Sequence, residues 1–118
     1  MSGQPTYTDS VRWLNELHNS GRVNPAVDTA EQILRAIDVL SIRQPTMTVT
    51  AGSIYLEWSA ERDWLRVVAC DHRVVYGLCW HSMGADDTQS GIATADQFVR
   101  WMVRWHTHWP LLATSSCH

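Results

Sequence analysis

Residues 46–81 read TMTVTAGSIYLEWSAERDWLRVVACDHRVVYGLCWH, and the alternation inside this stretch decides the fold. Met47 and Val49 alternate with Thr46, Thr48 and Thr50, and beyond Gly52 the residues Ile54, Leu56 and Trp58 alternate with Tyr55, Glu57 and Ser59. Successive side chains of a strand point to opposite faces, so this period of two predicts two strands. Ser59 to Asp63 reads as a polar turn, Trp64 to Cys70 as a third strand, and Arg73 to His81 as a fourth after the tight connection Asp71-His72. In the last two strands both parities are apolar. Leu65, Val67 and Ala69 stand opposite Trp64 and Val68, while Val74, Tyr76, Leu78 and Trp80 stand opposite Val75 and Cys79. A sheet with one solvated face alternates apolar with polar residues, so neither face here is expected to be wholly wet.

Working outward, the period lengthens to that of helices. Thr8 or Asp9 is placed to cap a helix carrying Val11, Leu14, Leu17 and His18, with Asn19-Ser20-Gly21 as its stop. Asn24-Pro25 opens a second helix, in which Val27, Ala30, Ile33, Leu34, Ile37 and Leu40 recur at helical spacing until Gln44-Pro45 favours extended backbone. Ser82 to Gly91 holds Gly84 and two aspartates without periodicity and reads as a surface loop. Thr94-Ala95-Asp96-Gln97 has the capping-box pattern of a third helix, along which Phe98, Trp101, Met102, Trp105 and Trp109 form a stripe aimed at the sheet, with Pro110 as its stop. The expected architecture is α+β, a four-stranded antiparallel meander packed against helices in the order α-α-β-β-β-β-α. One domain over 1–118 is expected, with short flexible ends at about 1–6 and 111–118.

Composition narrows the functional classes. At 118 residues, 45% hydrophobic and 18% charged, the chain has the apolar content to build a core. All nine basic residues are Arg, and with no Lys there is neither a Schiff-base amine nor a P-loop lysine. A net charge of −3 gives no general attraction to phosphate backbones or anionic lipid. Three cysteines, Cys70, Cys79 and Cys117, make an odd number without framework spacing, and Met1 to Pro5 lacks the basic start of a signal peptide, so a reduced cytoplasmic setting is expected. No apolar run approaches the roughly 20 residues of a bilayer span.

The Pro-started segment Pro25 to Leu40, the strand Gly52-Ser53-Ile54-Tyr55-Leu56-Glu57-Trp58, then Leu65-Arg66-Val67-Val68 and the terminal segment Phe98 to Trp105 occur in a recognisable order. In this the chain resembles a loose group of small, mostly uncharacterised bacterial and phage α+β proteins, many with a Gly-Gly-Ile-x-Leu-Glu-Trp-like strand. The likeness covers about residues 25–109. It implies the fold and a bacterial or mobile-element origin, and brings no activity or functional residues with it. This chain has Ser53 at the second Gly and a final helix much richer in Trp.

Several groups of side chains have residue types suited to chemistry. Cys70-Asp71-His72 and Cys79-Trp80-His81 contain zinc-ligand types, but a hairpin closed at Asp71-His72 separates the two cysteines by roughly 20 Å along the strand, far beyond shared coordination. His106 and His108, two apart on a helix, diverge by about 200°. Cys117-His118 resembles a base-assisted thiol on a chain end that offers little preorganisation. Glu57, and Glu61 with Asp63, define no substrate around them. Arg62, Arg66 and Arg73 with Trp64 and Tyr76 form only a thin basic track, so nucleic-acid binding ranks third. A small enzyme using His72 or His81 with Asp71 or a Cys ranks second. The leading expectation is a non-enzymatic protein-binding domain, an inhibitor, antitoxin-like or immunity-like factor, without cofactor or metal. Tyr55, Trp64, Tyr76 or Trp80 would anchor another protein or a second copy, while Asp86 and Asp87 read by default as a solvated loop, with a partner's Arg cluster or a hard cation as the alternatives.

Overall fold

A computed structural model describes residues 6–20, 24–50, 52–60, 63–82, 85–107 and 109–112. Helices α1 (Tyr7–Ser20) and α2 (Asn24–Leu40) precede strands β1 (Thr46–Thr50), β2 (Ser53–Ala60), β3 (Asp63–Ala69), β4 (Arg73–Ser82) and β5 (Ala85–Thr94), then α3 (Ala95–Trp105) and a 3-10 turn, Pro110–Leu112. The sheet is an antiparallel meander in the order β1-β2-β3-β4-β5.

The α+β class and the meander are as expected, but there are five strands, not four. The stretch read as a loop is β5, which pairs with β4 from Arg73↔Thr94 to Ser82↔Ala85. Its sequence concealed it for a physical reason. An edge strand is held through backbone hydrogen bonds along one side, and Asp86-Asp87-Thr88-Gln89-Ser90 has no apolar alternation to reveal it.

Helix ends follow local chemistry. The cap of α1 is Thr6 rather than Thr8 or Asp9: the Thr6 N–H donates to Asp9 Oδ2 at 3.2 Å, and the Asp9 N–H donates to Thr6 Oγ1 at 3.1 Å. α2 ends in a Schellman motif. Ser41 turns left-handed at φ 57°, and the Ile42 N–H reaches the Ile37 carbonyl at 2.9 Å. Thr94 and Gln97 complete the expected capping box of α3. That helix stops at Trp105, short of Pro110, so Trp109 packs from beyond it. Leu111 and Leu112 are buried as well, and residues 113–118 lie outside the described residues.

One face of the sheet carries the core. Ile54, Leu56 and Trp58 on β2, Leu65, Val67 and Ala69 on β3, and Val74 and Leu78 on β4 are buried against Leu14 of α1, the apolar face of α2, Phe98 and Met102 of α3, and Trp109, Leu111 and Leu112. Polar anchors fix the ends of this layer. Trp58 Nε1 donates to the Arg43 carbonyl at 2.6 Å, the Arg43 N–H donates to the Leu112 carbonyl at 2.9 Å, and Trp109 Nε1 donates to Asp63 Oδ2 at 2.9 Å. Among the described residues, no helix is long and apolar enough to cross a membrane.

Candidate interaction surface

The strand register sorts the four aromatic candidates into two pairs. Val67 faces Tyr76 across β3 and β4, and both Tyr76 and Trp80 share the parity of buried Val74 and Leu78, so they point toward the helices. There they join a cluster under α3. Trp80 stacks on Trp109 at 5.2 Å between ring centroids and 5° between planes, and Tyr76 lies 6.1 Å from Phe98 and 6.5 Å from Trp101. Tyr76 and Trp80 therefore contribute to the contact between helix and sheet. Tyr76 even shapes its neighbour strand, because a Cβ on Gly91, its partner in register, would sit 2.7 Å from the phenol oxygen.

Tyr55 and Trp64 have the opposite parity and lie on the face that carries no helix. Across that face Thr48, Tyr55, Val68, Val75 and Ile92 follow one another in register, one from each strand. Tyr55 and Val68 are half-buried, while Val75 is 42% and Ile92 69% exposed. None of Tyr55, Trp64, Val68, Val75 and Ile92 belongs to the core cluster or packs against it.

The adjacent row begins Thr46, Glu57, Arg66, Gly77 and Ser90. Arg66 Nε donates to Glu57 Oε2 at 3.3 Å, and its guanidinium carbon lies 4.4 Å from the centre of the Trp64 ring. Trp64 in turn leans over Gly77, where an added Cβ would meet its ring at 3.5 Å. The indole is thus held by the sheet surface beneath it and by a cation, in a position that a free rotor would not keep. Cys79, in register with Trp64 and Thr88, accepts a long contact from Thr88 Oγ1 at 3.8 Å. Arg66 and Glu57 compensate one another, Arg73 adds an exposed cation on the same side of β4 as Val75, and exposed Thr46, Thr48, Thr88 and Ser90 share the face with the apolar row.

Sequence reasoning had named Tyr55 and Trp64 but not Val68, Val75 or Ile92 as part of one surface. The available signal was parity, since Val68 and Val75 share the sequence alternation of Trp64 and Cys79. Ile92 was concealed with the rest of β5. Asp86 and Asp87 lie on that strand in register with His81 and Trp80, and their side chains are outside the described set.

The catalytic candidates are not gathered in one place. His72, with φ 62°, closes the β3–β4 turn; its N–H donates to Thr29 Oγ1 at 3.1 Å and its Nε2 lies 3.1 Å from Asp71 Oδ1. It borders an open cleft of about 450 Å³ that also touches Asp28, Gln32 and Asp96, the last two joined by a 2.7 Å hydrogen bond. Cys79 and His81 stand at the far end of β4 from this turn. Arg62 and Glu61 lie outside the described residues; Arg66, Arg73 and Trp64 of the thin basic track share the open face, and Tyr76 lies on the other. Among the described residues no three His, Cys, Asp or Glu side chains converge as metal ligands. Comparison with known protein families, with characterised proteins and with solved structures finds no match to this chain.

Proposed function

We propose that this chain is a non-enzymatic protein-binding domain that docks through the helix-free face of its sheet. One observation carries the reading: apolar side chains from β2 to β5 line up in one row on the side where no helix covers the sheet, with Val75 42% and Ile92 69% exposed. Apolar surface gathered in one patch, beside an aromatic held by cation and sheet, is the usual composition of a docking centre, whereas scattered surface apolar residues need no explanation. An inhibitor, antitoxin-like or immunity-like factor acts in this way, by covering a surface instead of turning over a substrate. The bacterial or mobile-element origin suggested by the sequence pattern fits such a role.

The test is affinity capture from the native cell with the tagged wild-type chain and with Ile92→Arg, which places a charge at an already exposed position of the patch. Stoichiometric retention of a protein, including untagged copies of this chain, by the wild type and its loss with Ile92→Arg is the expected result. Retention of the same proteins by both, or of none by either, overturns the proposal.

A further inference from the structure

We infer that the outer edge of β1 is a second, separate interface, at which two copies of this chain join their sheets strand to strand. The inference does not rest on the docking reading above. Thr50 and Ser53, two residues apart, close the β1–β2 hairpin and so form a hydrogen-bonded pair. Bonded and non-bonded pairs alternate along an antiparallel ladder, which turns the backbone groups of Thr46 and Thr48 toward β2 and those of Met47 and Val49 outward. Among the described residues no group outside the strands bonds the outward N–H and C=O of Met47 and Val49. Four polar groups at the spacing of a strand are completed by another strand.

The two edges of the sheet differ. β5 carries Asp86 and Asp87, and charges on an edge oppose pairing. β1 reads Thr-Met-Thr-Val-Thr, β-branched at four of its five positions and without a charge. A second β1 matches it. A two-fold axis normal to the sheet at Thr48 sets Met47 opposite Val49 of the second copy and Val49 opposite its Met47, so all four outward groups are bonded. A register centred on Met47 instead would put Pro45, which has no N–H, opposite Val49 and lose a bond on each side of the axis.

The side chains agree with the register centred on Thr48. On the helix-free face Thr48 meets Thr48 of the second copy and Thr46 meets its Thr50, pairs that suit adjacent strands. On the helix side an open groove of about 240 Å³ lies between Asp9, Ser10 and Trp13 of α1 and Pro45, Thr46 and Met47. Val49, 36% exposed in the single chain, comes beside Met47 of the other copy, next to that groove. Asp9 borders the Thr46 end of β1, and the axis carries its mate to the opposite end of the seam, so these like charges are kept apart. Both helix-free faces stay open, on the same side of two merged five-stranded sheets.

Sedimentation equilibrium on the purified full chain tests the inference, with Val49→Pro and Val49→Lys as edge variants and Val75→Asp on the helix-free face as the control. Circular dichroism establishes that each variant is folded. Proline is tolerated on an edge where the N–H points to solvent, so Val49→Pro removes one outward donor per copy without touching the ladder to β2. An edge this short makes a small interface, so the expected result is a dimer with Kd in about the micromolar range, weakened about tenfold or more by each edge variant and unchanged by Val75→Asp. The Met47 and Val49 amides should exchange hydrogen more slowly as protein concentration rises. A wild type still monomeric at about 1 mM, a dimer that survives either folded edge variant or is lost with Val75→Asp, or amides indifferent to concentration overturns the inference. A monomeric wild type leaves the docking reading standing, because Ile92→Arg tests that reading on β5, at the other edge of the sheet. Copies joined through β1 would be retained with Ile92→Arg and lost with Val49→Pro.

Discussion

The two faces of the sheet are built from interleaved residues of the same strands, yet they have different organisation. On the covered face Trp58, Leu65 and Val67 are removed from water by the helices, and the Trp58 indole N–H is satisfied by the Arg43 carbonyl. On the other face Trp64 lies along the sheet surface beside Arg66, and Val75 and Ile92 remain exposed. Burial on the first face accounts for the fold. On the second, apolar character contributes little to the isolated chain, which makes it available for association.

The largest effect that separates the faces should come from truncating one indole on each. Trp58→Ala removes a side chain that is 1% exposed together with its hydrogen bond, and should cost about 3–5 kcal/mol in urea denaturation. Trp64→Ala, on the open face, should cost only about 1 kcal/mol. Equal losses would erase the distinction between core and docking face.

How much of this contrast could be read beforehand depends on the strand. The alternation of β2 was plain because Ile54, Leu56 and Trp58 are interrupted by Glu57 and Ser59. In β3 and β4 both parities are apolar, so the sequence predicts that neither face is wholly wet without saying which receives the helices. That choice depends on the covered-face packing of Val74, Leu78, Tyr76 and Trp80 with α3 and Trp109, and these contacts span distances in the chain that no local pattern encodes. Tyr76 and Trp80 were accordingly grouped with Tyr55 and Trp64 as docking anchors although they face the other way. β5 was illegible because its pairing is a property of the backbone, and the polar side chains above it carry no period.

A matched glycine pair sharpens the comparison at intermediate size. Gly91→Ala directs a methyl group at the Tyr76 ring on the covered face and should destabilise by about 1–3 kcal/mol, because the phenol must shift within packed surroundings. Gly77→Ala on the open face meets Trp64 at an ordinary 3.5 Å and should instead stabilise by about 0.4–1 kcal/mol through the unfolded state. Thermal or urea unfolding of the two variants gives opposite signs if the faces are assigned correctly, and like signs if they are not.

The smallest effect belongs to the pair on the open face. Glu57→Gln should change stability by less than about 0.5 kcal/mol, and that difference should shrink as salt is added, because Arg66 and Glu57 both retain solvent contact. A larger loss that ignores salt would mean that this pair is shielded from solvent in the folded protein.

The segment after α3 has a consequence for the order in which the protein acquires its structure on the ribosome. Trp109, Leu111 and Leu112 are buried, Trp109 ties back to Asp63 at the start of β3, and the Leu112 carbonyl receives the Arg43 N–H. While residues up to α3 emerge, the hairpins can pair locally, but the nascent chain has nothing yet to fill the place of these three side chains. Its final consolidation must wait until residue 112 is translated, and until then the partly formed sheet offers greasy surface on both sides to the chaperones around it.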